Sequence, residues 1–573
     1  MENPRRLDYF GVGLFALALF GIVLSVGGPL TLHEGVLSQT TKAMLADHDW
    51  TVPHFGVAPW LERPPLPQWI SCAIAAILGT DEWVLRLGPA LAASITVLLT
   101  MWLAGRLFGR ATGILSGLIL ATMYNFTRYA TLAEADMFLA PIVAATLCVF
   151  AYLEILRPAS ESAKDSVNFL GRRPWLVALF FGLLGATNLA KGLVFGTVMA
   201  LAPIGTFLLW NFSWRRIGRY TWLWGWLIFA LVGGAWPALV LQRYPDAPEL
   251  WAYDLFGRLN GHYLEEPRWY YFGCLLWVML PWTVPAVIGL ALTWTKLWRQ
   301  GEAKERLVLC WAWMPPLVFS LAQGKHHHYM IHFLAPWAIL ATHGILWIWQ
   351  KAVSGAAKWW PVPIGLSIGA DCLIGFLGRD VPGPSWLVPA LLLVAPAVLT
   401  SWWYFAKHPI LRVSATGTMA LVFVVYCAGF AYKGEYLHRS LYDTAFLHQV
   451  RERLSPEDAL LVYVGEDSLE GLRVQYYLGK PLFFLHNISF IHDQRILSAD
   501  VFLVARYRSL EEIEKYGRAT TMLQCEKSRR EESAADRWTL FRLHLRDDLE
   551  RKNADVRISP MQAIYRTPGP DLN

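Results

Sequence analysis

The stretch LHEGVLSQTTKAMLADHDWTVPHFGVAPWLERPPLPQW, residues 32–69, decides how the rest of the chain is read. It is polar and rich in proline, and it sits between an apolar run from Gly11 to Gly28 and another centred near residue 97. Apolar runs of this kind suit a hydrocarbon core about 30 Å thick. Pro64 and Pro65 restrict the backbone and the Phe55-Gly56 step permits a tight reversal, so the stretch is a shaped loop between spans and not a spacer. Shaped loops hold sites.

Working outward, further apolar runs centre near residues 119, 145, 182, 200, 231, 281, 314, 340, 369, 394 and 422. With the first two they predict thirteen spans. The 573 residues are 55% hydrophobic and 16% charged, but the charge is uneven: residues 433–573 hold 43 of the 94 Asp, Glu, Lys and Arg. Residues 1–432 are too poor in charge for a water-exposed surface, whereas the tail has the composition of a soluble domain. A purely soluble enzyme, a collagen and a disordered scaffold are excluded. The net charge of +6 belongs to the membrane part, spread in short clusters between apolar runs, which argues against nucleic-acid binding. The seven cysteines show no CxxC and predict neither a disulfide framework nor a zinc knuckle.

Orientation follows from those basic clusters. Arg106 and Arg110, Arg215, Arg216 and Arg219, Lys296 to Arg306, and Lys407 and Arg412 all fall inside only if the apolar segment 66–79 does not cross the bilayer. The amino terminus is then cytoplasmic, and the tail lies outside with the loops 29–85, 128–136, 242–269, 322–330 and 378–384. The expected domains are a membrane domain over 1–432, including the external loop 29–85, and an extracytoplasmic α/β domain over 433–573. In the tail, 459–465, 481–486, 499–506 and 538–545 read as strands, with helices over 468–479, closed by Gly479, and 509–517.

The polar residues least like loop filler gather on the outer side. Ionisable groups at the edge of a bundle are expensive unless paired or wet, so their gathering points to an outward-facing site. Glu34 reads either as a helix-start carboxylate or as a group acting on an acceptor or holding a metal, with His33 beside it. Glu62 and Arg63 form a local salt bridge, or offer a carboxylate to a cation and a guanidinium to a phosphate. In NFTRYATLAEADMF (125–138), Arg128, Glu134 and Asp136 are interfacial, or Asp136 is a second carboxylate that orients the first or the substrate. His262 is a surface histidine, or pairs with Glu62 in a way that suits Zn²⁺ or Mn²⁺. The run QGKHHHYMIH (323–332) invites a metal reading, but three consecutive histidines cannot easily face one ion. Lys325 is the better phosphate contact. Lys191 and Asp371, set in or between apolar segments, are costly placements in need of partners.

With these loops in hand, the chain resembles the polyprenyl-phosphate-dependent glycosyltransferases of the GT-C fold, in the branch that contains the lipid A aminoarabinose transferases and is related to protein O-mannosyltransferases. The resemblance covers residues 10 to about 430. It rests on MLADHDWTVPHFG with LERPPLPQW, then EWVLRLGPALAA (82–93), RYATLAEADMF (128–138), NLAKG (188–192) and GHYLEEPRWYY (261–271), in that order. It implies thirteen spans with an outer carboxy-terminal domain, and inverting transfer of a sugar from a polyprenyl phosphate to a lipid, glycan or protein acceptor. The family's Asp-Glu pair at the head of the first loop reads His33-Glu34 here. By the same matching Glu34 and Asp136 take the acidic positions, Arg63 that of a donor-phosphate lysine, Glu62 and His262 those of a metal, and Lys325 that of a basic residue near the phosphate; Arg128 and Lys191 join this donor-phosphate set. The chain is expected in the cytoplasmic membrane as a monomer. A lipid or sugar transporter is the alternative, and it predicts two pseudo-symmetric halves and no large carboxylate-bearing outer loop.

Overall fold

The computed structural model describes residues 2–25, 28–55, 58–157, 175–192, 194–260, 266–353, 435–455, 460–463, 468–479, 483–485, 500–526 and 537–545. The chain divides into two compact units: Met1–Val26, Glu62–Pro67 and Arg86–Ala431 make up one, and Gly27–Leu61, Gln68–Leu85 and Tyr432–Asn573 the other. In chain order the helices are α1 (Arg6–Ser25), α2 (Leu32–Asp47), α3 (Leu66–Leu78), α4 (Glu82–Phe108), α5 (Arg110–Ala121), α6 (Tyr124–Ala130), α7 (Asp136–Ala151), α8 (Trp175–Lys191), α9 (Phe195–Trp210) and α10 (Trp214–Tyr220). There follow α11 (Leu223–Arg243), α12 (Ala247–Asn260), α13 (Tyr270–Val278), α14 (Thr283–Gln300), α15 (Ala303–Phe319), a 3-10 segment (His327–Phe333) and α16 (Leu334–Val353). The tail adds α17 (Glu435–Arg453), α18 (Ser468–Leu478) and α19 (Leu510–Ile513).

The first unit is helical. Among the described residues five helical stretches are long and apolar enough to cross a membrane: Arg6–Leu24, Glu82–Phe108, Asp136–Leu156, Leu223–Arg243 and His327–Lys351. The expected runs near 119, 182 and 200 are shorter apolar helices, and those near 369, 394 and 422 lie outside the described residues, as does Asp371. The run expected as one span centred near residue 281 differs. It is broken into α13 and α14, bent from each other by 117°. Pro281 at the break has no N–H to continue the ladder. The chain uses the interruption: the Leu280 carbonyl accepts from the Tyr124 amide at 2.9 Å, and Trp282 Nε1 donates to Thr122 Oγ1 at 2.9 Å. The corner between α13 and α14 thereby fixes the start of α6.

Several basic clusters that the sequence assigns to the inner side have acidic partners in this unit. Arg110 grips Asp8 through two bonds of 2.6 Å, Arg216 and Arg219 meet Glu154 in the π-helical turn Tyr152–Leu156, and Lys296 meets Glu305 at 2.6 Å. Pairing lowers the cost of keeping charge beside apolar helices.

The second unit combines helices from residues 27–61 and 68–85 with the tail. Helix α2 begins on a capping box: Thr31 Oγ1 accepts from the Glu34 amide at 3.4 Å, and Glu34 Oε2 accepts from the Thr31 amide at 2.9 Å. The helix is polar yet largely buried, with Glu34, Ser38, Gln39, Thr40 and Thr41 all inside. Strands β1 (His54–Phe55) and β2 (Ala58–Pro59) pair antiparallel, while Gly56 of the expected reversal lies outside the described residues. The tail forms a five-stranded mixed sheet in the order β4-β3-β5-β7-β6. Strands β3 (Leu460–Tyr463), β4 (Phe483–Leu485) and β5 (Asp500–Arg506) run parallel, and β7 (Trp538–Leu545) and β6 (Gly517–Gln524) complete it antiparallel. Leu461, Val501, Leu503, Ile513, Phe541 and Leu543 are its core. Strand β6 is absent from the sequence reading because GRATTMLQ is an edge strand, exposed at several positions, and lacks the apolar alternation that marks a half-buried one. Gly479, at φ +66°, closes α18 as its sequence predicts.

Candidate functional site

In the first unit, two helix ends bring opposite charges together. Helix α7 opens with Asp136 and α8 closes with Lys191, the ends at which the helix dipole favours an anion and a cation respectively. The Lys191 ammonium binds Asp136 Oδ1, and the two side chains are 4% and 5% exposed. His328 Nε2 stands 3.7 Å from the same carboxylate oxygen. The ammonium also lies 4.2 Å from the centre of the Tyr329 ring and 4.8 Å from that of Phe195, whose π faces favour a cation. An ion pair so placed is costly to break, since either partner alone is a buried charge.

The turn after Lys191 is braced. Asn188 Oδ1 accepts from the Val194 amide at 3.1 Å and from Thr197 Oγ1 at 2.8 Å, tying the end of α8 to the start of α9. Val194 has φ +74°, a conformation that a β-branched residue adopts only under constraint. The NLAKG motif thus supplies both the cation and the brace that aims it.

The histidine run divides its tasks. His326 and His328 stack at 5.0 Å, while His327 turns to Tyr129, whose hydroxyl is 3.0 Å from its Nε2, and to the Trp277 ring at 5.3 Å. Arg128, also on α6, lies over the Tyr129 ring at 5.6 Å. Arg63 is half-buried and within electrostatic reach of His328. Asp136, Lys191, Arg63 and the histidine run are thus brought into one neighbourhood, with Arg128 joined to it through Tyr129. Lys325 is used differently: its ammonium is buried and donates to the Glu266 carbonyl at 2.8 Å and the Gln323 carbonyl at 3.5 Å. Burial holds its pKa below the ordinary value, with Glu266 opposing. It lines a pocket of about 440 Å³ with Glu266, Arg268 and Gln323.

Among the described residues no three His, Cys, Asp or Glu side chains are arranged to hold a metal. Of the pair matched to a metal, Glu62 is half-buried beside Arg63 and His262 lies outside the described residues. His332 went unremarked in the sequence: it is 2% exposed, both ring nitrogens lack a hydrogen-bond partner, and its ring is 6.0 Å from Phe195. A lone histidine in an apolar run carries no signal that separates it from a core residue.

In the second unit, Glu34 is fully buried in its capping box and His33 is exposed. Further along α2, Lys42 has its pKa lowered from 10.5 to about 8, chiefly by burial and then by Arg451, with Glu82 and Asp81 opposing. The folded value lies below the unfolded one, so between pH 8 and 10.5 the unfolded chain binds more protons and stability rises with pH. Thermal unfolding of the solubilised protein is expected at higher temperature at pH 9.5 than at pH 7.5, by at most about 3 kcal/mol of stability. Lys42→Met should remove that rise; an unchanged pH dependence in the variant would show that another group carries it.

Residues 62–238 match the family described as dolichyl-phosphate-mannose-protein mannosyltransferase. An undecaprenyl phosphate-alpha-4-amino-4-deoxy-L-arabinose arabinosyl transferase of Erwinia tasmaniensis is 30% identical over 324 residues, 54% of this chain and 54% of that protein. A protein of the same description from Shewanella sediminis is 23% identical over 481 residues, 79% of this chain and 81% of that one. The chain spans little more than half the length of the first curated relatives it matches. The crystal structure of ArnT from Cupriavidus metallidurans bound to undecaprenyl phosphate superposes with a TM-score of 0.75 at 18% identity, covering 94% of this chain and 98% of that one. Its apo form gives 0.72, covering 92% and 97%. At this identity the likeness establishes the fold.

Proposed function

We propose that this chain, which shares the fold of ArnT from Cupriavidus metallidurans and has helices apolar and long enough to cross a membrane, is a polyprenyl-phosphate-dependent glycosyltransferase that transfers a sugar from a polyprenyl-phosphate donor to an acceptor at the outer face of the cytoplasmic membrane. The observation that carries the reading is the buried Asp136–Lys191 pair with His328 on the same carboxylate, held at the facing ends of two helices. A protein that only tethers or spans has no use for so costly an arrangement.

The acceptor oxygen attacks the anomeric carbon as the bond to the phosphate oxygen breaks, and the polyprenyl phosphate leaves with the electron pair. Arg63, Arg128 and Lys325 are the proposed partners of that phosphate, offsetting its charge as the bond lengthens. Lys191 belongs to the same set, but its charge is already matched by Asp136, so its part is to shape the field around His328 and Tyr329 and not to meet the phosphate alone. Asp136 is the positioning carboxylate. Glu34 takes the proton when the acceptor is a hydroxyl, with His33 beside it at the acceptor side; a phosphate acceptor needs no base. Glu62 and His262 remain the proposed ligands of a divalent ion. The described residues do not complete a ligand set, so no step here passes through a metal.

The test is transfer of labelled sugar from purified undecaprenyl-phosphate-linked donors to a hydroxyl acceptor. Glu34→Gln keeps the capping bond to the Thr31 amide through its carbonyl oxygen and removes the base, so it should lose about 10²-fold or more in kcat. Full activity would refute the role of Glu34.

A further inference from the structure

Within the second unit, the tail helix α18 holds α2 at three points along its length. At the front, the Leu30 amide donates to the buried Tyr477 hydroxyl at 2.8 Å, and that hydroxyl donates in turn to Glu82 Oε1 at 3.2 Å. In the first turn, Gly35 lies against the backbone of Arg473, where a Cβ would come within 3.2 Å of its amide nitrogen. Towards the end, the Lys42 ammonium donates to the Tyr476 carbonyl at 3.1 Å and stands 3.5 Å above the Tyr476 ring. Helix α18 is itself anchored: Arg473 pairs with Asp443 of α17 at 2.7 Å, and Leu472 packs with Trp60 and the partly buried Val36. Burial keeps the Tyr477 phenol above its ordinary pKa, with Glu82 and Glu34 adding to the effect, so it stays a hydroxyl.

We propose that Tyr477 is a positioning residue for Glu34, and that the tail thereby sets the orientation of the acceptor-side carboxylate. The inference rests on the role given to Glu34 under Proposed function. The chain of contacts is short. Leu30 and Thr31 are consecutive: the first amide binds Tyr477, and the second binds Glu34 Oε2. Without the Tyr477 hydroxyl the Leu30 amide is a buried donor with no acceptor there, and segment 30–31 must shift to satisfy it. The Thr31 amide moves with it, and the Glu34 carboxylate loses a bond that orients it. Displacement of a reacting group by about an ångström is enough to cost rate without weakening donor binding.

Tyr477→Phe keeps the ring and removes only the hydroxyl. In the full-length solubilised protein it should lower kcat about tenfold or more with donor KM unchanged. Amide exchange should rise in the peptide over residues 28–36, while exchange in β5 and β7 stays as in the wild type. Leu472→Ala, which loosens the same helix without touching the hydrogen bond, should lower the unfolding temperature and leave kcat of the folded fraction near normal. Wild-type kcat and exchange in Tyr477→Phe would overturn the proposal, and so would a loss of protection spread across the sheet, which marks a merely structural residue. Glu34→Gln separates the two readings. If it is fully active, the role of Glu34 fails; if it is inactive while Tyr477→Phe behaves as wild type, only the positioning role fails.

Discussion

Asp136→Asn is expected to destabilise the first unit by about 3–5 kcal/mol and to abolish measurable transfer, because it leaves the Lys191 ammonium buried without its counter-charge. The pair is nearly sealed from solvent, at 4% and 5% exposure, so water cannot replace the lost carboxylate without opening the helix ends. Asparagine retains a carbonyl oxygen for a hydrogen bond, which separates charge from shape. The same change removes the negative charge beside His328, whose Nε2 lies 3.7 Å from Asp136 Oδ1, so the histidine run loses one of its contacts as well. Lys191→Met alone should be comparably damaging, since it strands the carboxylate. The double variant Asp136→Asn with Lys191→Met removes both charges and should recover most of the unfolding temperature, because replacing a buried pair by neutral groups is often close to neutral. Transfer should remain lost in it. Unfolding in detergent and sugar transfer, measured on all three, decide the matter: a wild-type unfolding temperature in Asp136→Asn would mean that the pair contributes nothing to stability.

Gly344→Val should prevent α14 and α16 from packing, with loss of folded protein as the readout. A Cβ on Gly344 collides with the Pro285 carbonyl oxygen, and one on Gly289 collides with that of Leu340, so each glycine is pressed against the backbone of the opposite helix. Gly289 and Gly344 also face each other: a Cβ on one would lie 2.9 or 3.1 Å from the amide nitrogen of the other. Small residues at a crossing let helix backbones approach in a membrane, where no water is expelled to drive association and close packing must do so. An overpacked core costs about 1–3 kcal/mol when side chains can yield, and here backbone atoms would have to yield instead. Helix α16 continues directly from the 3-10 segment that carries His328, Tyr329 and His332, so activity should fall with stability. A Gly344→Val protein that is monodisperse and unfolds at the wild-type temperature would disprove the crossing.

Two residues that the structure pairs stand out in the sequence. Asp136 and Lys191 are each flagged by being charges where charge is expensive, and the structure gives each the other as partner. The partnership itself was not legible, since 55 positions separate them and charge patterning ranks residues without pairing them. The sequence allows two readings of Glu34: the helix-start reading describes its hydrogen bonds, and the acceptor-side reading is left to the transfer assay. In the tail, buried strands such as ALLVYVG and ADVFLVAR announce themselves by continuous apolar runs, whereas β6 is silent because an edge strand needs hydrogen bonds and not a hydrophobic face. The break at Pro281 was missed in an apolar run because hydropathy counts side chains and is blind to a missing N–H.

The sequence by itself determined that apolar runs fill residues 1–432 while the tail is rich in charge, that prolines constrain the backbone around Arg63, and that costly charges cluster in a few motifs. These are local properties, set by composition, spacing and the conformational limits of proline and glycine. Only the tertiary structure decided which helix ends meet, so that Asp136 and Lys191 pair, and that loop helix α2 and tail helix α18, more than 400 positions apart at Leu30 and Tyr477, belong to one compact unit. Such choices depend on how helices cross and how closely their backbones approach, and no periodicity along a single chain encodes that.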